Sequence, residues 1–289
     1  MTESPSERLS LALLATAIEY VVPAAALAEQ LGIPLAPLAT DFSDCMDFDV
    51  LLLVSDQGLA LQQTRRLATG DPGAALKSHR RKGRAPLPGP VTVDFGSDEM
   101  RHRRRSGHNE LLGKAVGVSN KRQLQVLDAT AGLGRDSFVL ADMGCAVSLC
   151  EREAVVAAML ARGLEIARAG GDDWLLQVIE RMRLYRADAR SLARSVLSSL
   201  DVIYLDPMFP QREKSAAVKK EMALFQALLE GSSSPGDPEE LLEWALAQDI
   251  ARVVVKRPGR AAFLGAQKPS HSVAGKSVRF DVYARRSLS

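Results

Sequence analysis

The sequence has little of what staples a small protein or holds a metal. Among 289 residues there are three cysteines, Cys45, Cys145 and Cys150, and four histidines, His79, His102, His108 and His271. The cysteines are odd in number, and no Cys-x-x-Cys or His-x-x-x-His pair offers a ligand spacing, so neither a disulfide framework nor a metal site is expected. They read as reduced core residues. An excess of one charge is missing too: 37 Lys and Arg stand against 35 Asp and Glu, a formal +2. Composition therefore does not announce a nucleic-acid binder, and any basic surface has to be local. A long apolar run is also absent. Residues 9–28 look superficially like a secretion signal, but Glu3 and Glu7 precede them and Glu19 interrupts the run. That falls short of the roughly 20 apolar residues of a membrane span. A soluble, cytoplasmic protein without a membrane partner is the expectation.

What is present is enough apolar material, 46% of residues, for one large α/β domain and a smaller companion. Residues 1–95 read as the small α/β domain, with strands at 16–22, 49–54, 59–63 and 91–95 and a helix at 24–31 stopped by Gly32 and Pro34. Within it, residues 65–90 are rich in Gly, Pro and Arg and read as a long basic loop. Residues 96–289 change rhythm. Strands are expected at 124–128, 146–150, 183–186, 201–205 and 251–256, with a closing hairpin of 271–274 and 278–284. Helices are expected at 110–116, 135–143, 154–169, up to Glu180 after an Asp172 or Asp173 cap, at 214–229 and at 239–247. Such alternation argues for a doubly wound, largely parallel sheet with helices on both faces.

In such a sheet, ligands bind beyond the carboxyl ends of the strands where the winding reverses. The first strand of the large domain feeds the turn Ala131-Gly132-Leu133-Gly134-Arg135-Asp136. Gly132 and Gly134 let backbone approach a ligand closely, although a turn needed only for folding has the same look. The third glycine of the dinucleotide fingerprint is missing. Asp128 and Asp136 flank the turn, poor neighbours for a pyrophosphate and good ones for an ammonium or sulfonium. Glu151 ends the second strand 23 residues beyond Asp128, where a carboxylate accepts from ribose hydroxyls. Asp188, after the third strand, is placed to accept from an adenine amino group. A cationic nucleoside without phosphate, S-adenosylmethionine, satisfies these features together, and a nicotinamide oxidoreductase does not.

The fourth strand runs into Asp206-Pro207-Met208-Phe209-Pro210. Prolines on both sides fix the backbone and remove donors, leaving acceptors and one aromatic face. An exocyclic NH2 of a nucleobase asks for that setting: Asp206 and the Pro207 carbonyl accept its hydrogens and Phe209 stacks on the ring. Methyl transfer to such a nitrogen needs chiefly positioning, with the base drawn out of its stack. Guanine N2, adenine N6 and cytosine N4 all fit this geometry.

Charge is concentrated locally. From Arg80 to Arg105 there are eight Lys or Arg against three Asp or Glu. The run at 77–84 reads equally as a solvated linker. The run containing Arg101, His102, Arg103, Arg104 and Arg105 suits contact with a phosphate backbone, and Lys214, Lys219 and Lys220 add cations after the acidic loop. An assembly factor that binds RNA without catalysis is the competing reading from another class.

The runs DATAGLGRDSFVLADMGCAVSLCER, LDPMFPQREKSAAVKKEM, VVVKRP and RFDVYA together resemble the ribosomal RNA small-subunit methyltransferase J family, over about residues 91–284. The resemblance implies a class I, Rossmann-like methyltransferase domain that uses S-adenosylmethionine to methylate guanine N2 in small-subunit (16S) ribosomal RNA. Carried onto this chain, the family's cofactor contacts fall on Arg135, Asp136, Glu151, Arg152, Asp188, Ala189 and Asp206.

Overall fold

A computed structural model describes residues 9–69, 86–104, 108–119, 121–170, 172–207 and 237–288. Phe209, Arg105, Lys214, Lys219 and Lys220, and the helix expected at 214–229, lie outside the described residues. The chain divides into two compact units, the first reaching Val93 and the second beginning at Asp94.

The first unit carries a four-stranded sheet in the order β1-β2-β3-β4, with β1 Leu11–Ala15, β2 Val50–Ser55, β3 Gly58–Gln63 and β4 Val91–Thr92. β1 runs parallel to β2, and the next two pairs are antiparallel. The strand expected at 16–22 is not there. Thr16 onward bends into a 3-10 turn at Ile18–Tyr20 and a helix at Val21–Leu31, capped by Gly32 at φ 65°. The strand lies earlier because Ala12, Leu13 and Leu14 are buried, Ala12 and Leu14 in one cluster with Leu51, whereas Ile18 and Val22 are 74% and 79% exposed. Burial of the LALLA run outweighs the β-propensity of the later residues. Arg65–Thr69, expected as loop, is a short helix, and the strand expected at 91–95 stops at Thr92. Phe95 instead stacks on Phe138, ring centroids 5.3 Å apart.

The second unit is a seven-stranded sheet in the order β10-β11-β9-β8-β5-β6-β7. Its strands are β5 Gln125–Asp128, β6 Ala146–Cys150, β7 Met182–Tyr185, β8 Val202–Leu205, β9 Arg252–Pro258, β10 His271–Ala274 and β11 Val278–Ala284. β5 through β9 are mutually parallel, and the hairpin β10–β11 joins antiparallel to β9. Helices Arg135–Asp142, Ala154–Ala169, Asp173–Ile179 and Asp237–Ala247 make the crossovers. Asp172 is the cap of the third, its carboxylate accepting from the backbone N–H of Trp174 and Leu175. Every residue of β8 is fully or almost fully buried, as a central parallel strand covered on both faces requires. The chain winds from β5 outward through β6 to β7, then returns to β8 and β9 on the other side. The reversal lies between β5 and β8. All three cysteines are free and buried. The doubly wound sheet with its closing hairpin is the fold that the alternation of elements predicts.

Candidate active site

Three carboxylates and one ammonium meet where the winding reverses. β5 ends in Asp128, 2% exposed, and the chain then crosses a turn pinned from both neighbouring strands. Ala129 donates its N–H to the Tyr204 carbonyl of β8 at 3.0 Å, and Ala131 to the Cys150 carbonyl of β6 at 2.9 Å. Gly132 donates to Glu151 Oε2 at 2.8 Å. Gly132 and Gly134 adopt φ of 53° and 72°, the left-handed region that favours glycine. Their surroundings differ. A Cβ on Gly132 would meet open space, whereas one on Gly134 would lie 2.8 Å from Leu160 Cδ1 and 3.2 Å from Phe95 Cζ. Gly132 is the open lip of the turn and Gly134 its packed hinge.

Behind the lip, Asp128 accepts from Ser137 Oγ at 2.5 Å and from the Thr130 N–H at 3.1 Å. Burial pushes its carboxyl up to about 7, against the pull of those two bonds, with Asp136 and Asp206 adding repulsion. Asp136, in the first turn of the helix that follows, accepts from Tyr204 Oη at 2.7 Å. Lys256 Nζ donates to Asp136 Oδ2 at 2.6 Å and to Asp206 Oδ2 at 2.8 Å. Burial works against the charge on Lys256, but Asp206 and Asp136 outweigh it and hold its pKa above the ordinary value. Tyr204 is wholly buried, and burial first, then the carboxylates around it, keep its phenol protonated. Asp206 is fixed through its backbone as well, its N–H donating to Thr130 Oγ1 at 2.7 Å. The following Pro207 is buried.

A second cluster lies beyond β6 and β7. Glu151 is 8% exposed, its two oxygens taking the backbone N–H of Gly132 and Glu153 at 2.8 Å each. Burial raises its pKa, opposed by those bonds. Asp188 caps the turn Ala189–Ser191 and binds Arg190 through both oxygens, at 2.9 and 2.6 Å, which holds its pKa down. Arg152 reaches Asp188 at 3.6 Å and Asp237 at 2.5 Å, and Arg190 reaches Asp237 at 3.0 Å. Ala189, the first residue of the turn that Asp188 caps, is buried.

Structure thus brings Asp128, Gly132, Gly134, Arg135, Asp136 and Asp206 around one mouth, and seats Glu151, Arg152, Asp188 and Ala189 along the adjoining strand ends. Residues that sequence reading passed over are Thr130, Ser137, Tyr204 and Lys256. Lys256 had a weak signal: it is the first of two adjacent cations, Lys256 and Arg257, after the apolar run VVV, in a strand parallel to the one that runs into Asp206. On the basic helix Asp98–Arg104, Arg101 has partners within the fold. Arg101 binds Asp172 at 2.5 Å and lies 5.2 Å from the Trp174 ring, and Trp174 in turn donates to Asp142. Arg101 is therefore a tether beside the last turn of helix Arg135–Asp142, whose first turn forms the mouth. His102 is exposed on the same helix, which also contains Arg103 and Arg104.

The donor set suits S-adenosylmethionine. Carboxylates surround the mouth, and the lip at Gly132 is open. Among the described residues there is no group of three or more His, Cys, Asp or Glu placed to hold a metal ion, and no helix is long and apolar enough to cross a membrane.

Comparison with known proteins agrees with this chemistry. Residues 54–285 match the family described as putative SAM-dependent methyltransferases. A protein of Thioalkalivibrio sulfidiphilus named ribosomal RNA small subunit methyltransferase J is 45% identical over 90% of this chain and 92% of its own. One of Pseudomonas paraeruginosa with the same name is 41% identical over 100% and 99%. The crystal structure of a SAM-dependent methyltransferase from Neisseria gonorrhoeae superposes with a TM-score of 0.64 at 29% identity, covering 94% of this chain and 95% of that one. Glycine turn, acidic mouth and kinship converge: the chain belongs to the ribosomal RNA small subunit methyltransferase J family and is an S-adenosylmethionine-dependent methyltransferase.

Proposed function

We propose that the chain methylates the exocyclic N2 of a guanine in small-subunit (16S) ribosomal RNA. The observation that carries this reading is the posture of Asp206. It stands at the switch point with its N–H fixed by Thr130 and its carboxylate held by Lys256, ahead of a proline that offers a carbonyl and no donor. S-adenosylmethionine supplies a methyl group on a sulfonium. In this reading Gly132 and Arg135 border it, Glu151 accepts from the ribose and Asp188 from the adenine. Asp206 and the Pro207 carbonyl each accept one hydrogen of the target amine, which aims the nitrogen lone pair at the methyl carbon, and Phe209 stacks on the base. The bound cofactor would supply the methyl carbon and leave as a neutral thioether, and the proton displaced from the amine would pass to the Asp206 carboxylate that accepts its hydrogen bond and on to solvent.

The substrate class comes from the named relatives, and the base identity from the acceptor geometry and the family resemblance. His102, Arg103, Arg104 and Arg105, with Lys214, Lys219 and Lys220, are proposed as phosphate contacts. The chain is proposed to comprise a small α/β domain at 1–95 and the methyltransferase domain at 96–289, and the enzyme to act in the cytoplasm, where ribosomal subunits assemble.

The test is transfer of labelled methyl groups to small subunits lacking the modification, followed by nucleoside analysis. N2-methylguanosine is expected, and N6-methyladenosine or N4-methylcytosine would overturn the base assignment. Binding of S-adenosylmethionine without transfer to any RNA would favour an assembly factor. Asp206→Ala is expected to lower turnover at least about a hundredfold, the scale of losing a principal positioning contact, with the folded state intact by circular dichroism. Wild-type turnover in that variant would remove Asp206 from the mechanism.

A further inference from the structure

We infer that the rim made by residues 259–270 and the β10–β11 turn is a surface for single-stranded RNA, with Phe263 as the stacking platform for a nucleobase beside the target. This inference rests on the RNA-methyltransferase reading above and extends it to a surface that no family motif assigns.

The first observation is electrostatic. From Lys256 to Phe280 the chain carries six Lys or Arg and no Asp or Glu, in a protein whose charges otherwise nearly balance. Lys256, Arg257 and Arg279 are engaged within the fold, whereas Arg260, Lys268 and Lys276 are exposed. Basic residues without interspersed acids attract a phosphate backbone.

The second observation is a ring on a prepared seat. Phe263 is 44% exposed while its neighbour Leu264 is 2% exposed. A single exposed apolar residue is ordinary, but this one is held. The Arg279 guanidinium lies 5.0 Å from the ring centroid. That guanidinium is fixed by Asp281 through both oxygens, at 2.7 and 2.9 Å, and by the Gly259 carbonyl at 3.2 Å. The loop is fixed next to the ring, where Arg257 donates twice to the Ala262 carbonyl, at 3.2 and 2.8 Å. Arg279 is neutralised by Asp281, so it orients the ring and leaves attraction of phosphate to the three exposed cations. An aromatic face held open at a basic surface accepts any base, since every base has a π-face.

The third observation is position. Leu205 pairs with Val255, which sets Lys256 beside Asp206 at the carboxyl edge of the sheet. Arg257 is the next residue, and it pairs with Arg279. Alternation along the strand turns Arg257 and Arg279 to the face opposite Lys256, so the platform lies over the rim from the cation that holds Asp206. A nucleotide drawn out of its stack leaves its neighbours unstacked, and the ring at the rim offers one of them a partner.

The experiment measures initial rates of the full-length enzyme against the concentration of small subunits lacking the modification, with cofactor binding followed by calorimetry. Phe263→Leu keeps the apolar bulk that the loop packs on and removes the π-face. It is expected to raise KM for subunits roughly 5- to 100-fold, the scale of one base stack, leaving cofactor affinity and kcat within about twofold. Phe263→Trp is expected to match or lower the wild-type KM. The double substitution Arg260→Gln, Lys276→Gln is expected to reduce the slope of log KM against log salt by about 1 to 2. An unchanged KM in Phe263→Leu overturns the proposal, as does a rise in KM accompanied by an equal loss of cofactor affinity. Should the wild type transfer no methyl group to rRNA, the functional reading fails separately. The surface is then judged by anisotropy with a single-stranded RNA oligonucleotide, where equal affinity of wild type and Phe263→Leu overturns it.

Discussion

At the scale of the residue, Lys256 sets the character of the mouth. Asp136 and Asp206 would repel each other across a half-buried space, and one ammonium within 2.8 Å of both turns repulsion into a three-centre salt bridge. Its raised pKa keeps it charged across the neutral range, so the bridge is a fixed feature and not a switch. Lys256→Met leaves the two carboxylates without this counter-ion. With the lysine partly exposed, a loss of roughly 1–3 kcal/mol is expected, below the 3–5 of a fully buried pair. Turnover is expected to fall at least about tenfold because Asp206 loses the contact that orients it. Lys256→Arg is expected to recover part of the rate. Initial rates and urea unfolding measure the two effects, and unchanged rates in Lys256→Met would remove the residue from its positioning role. Asp206 was legible in the sequence because a proline marks it. Lys256 carried only a weak local signal, and its pairing was not legible, since its partners lie 50 and 120 residues away and proximity across parallel strands is not written in local spacing.

At the scale of the element, the turn between β5 and its helix divides its labour between two glycines. Gly134→Ala combines a left-handed φ with a collision against Leu160 and Phe95, and is expected to cost roughly 2–4 kcal/mol of stability. Gly132→Ala meets no atom and pays only for its φ, about 1 kcal/mol. Its methyl group projects into the open space at the lip, so cofactor affinity is expected to fall at least about tenfold. Thermal unfolding beside calorimetric titration separates the two, and equal stability losses would contradict the division. Strands and helices of the larger unit were readable because apolar periodicity, Gly stops and the Asp172 cap all agreed. In the smaller unit they disagreed. A five-residue apolar run such as LALLA serves helix or strand alike, and only its parallel pairing with β2 decides.

At the scale of the whole molecule, Asp128 couples the site to global stability. Its folded pKa of about 7 lies above the 3.8 of the free carboxyl, so the native state binds the proton more tightly than the unfolded chain does. The stability this contributes is complete below about pH 4 and is lost as pH rises to about 7. Asp128→Asn, which cannot ionise, is expected to lack this slope. Wild type should lose up to about 3 kcal/mol relative to the variant between about pH 5 and 8, two units of the shift at 1.36 kcal/mol each. Denaturant unfolding across that range measures it, and parallel curves would refute the assignment.

The sequence by itself determined the alternation of strands and helices, the glycine turn after Asp128 and the proline-bounded acid at Asp206, because each is a local matter of periodicity, backbone freedom or ring constraint. It also carried the family resemblance in long contiguous runs. Tertiary structure alone decided that Lys256 joins Asp136 to Asp206, that Arg101 is a tether to Asp172 and Trp174, and that Phe263 is held open against Arg279. Those are contacts between groups separated along the chain, and only strand register and the packing of helices on the sheet bring such groups within the few ångströms over which charge and ring contact act.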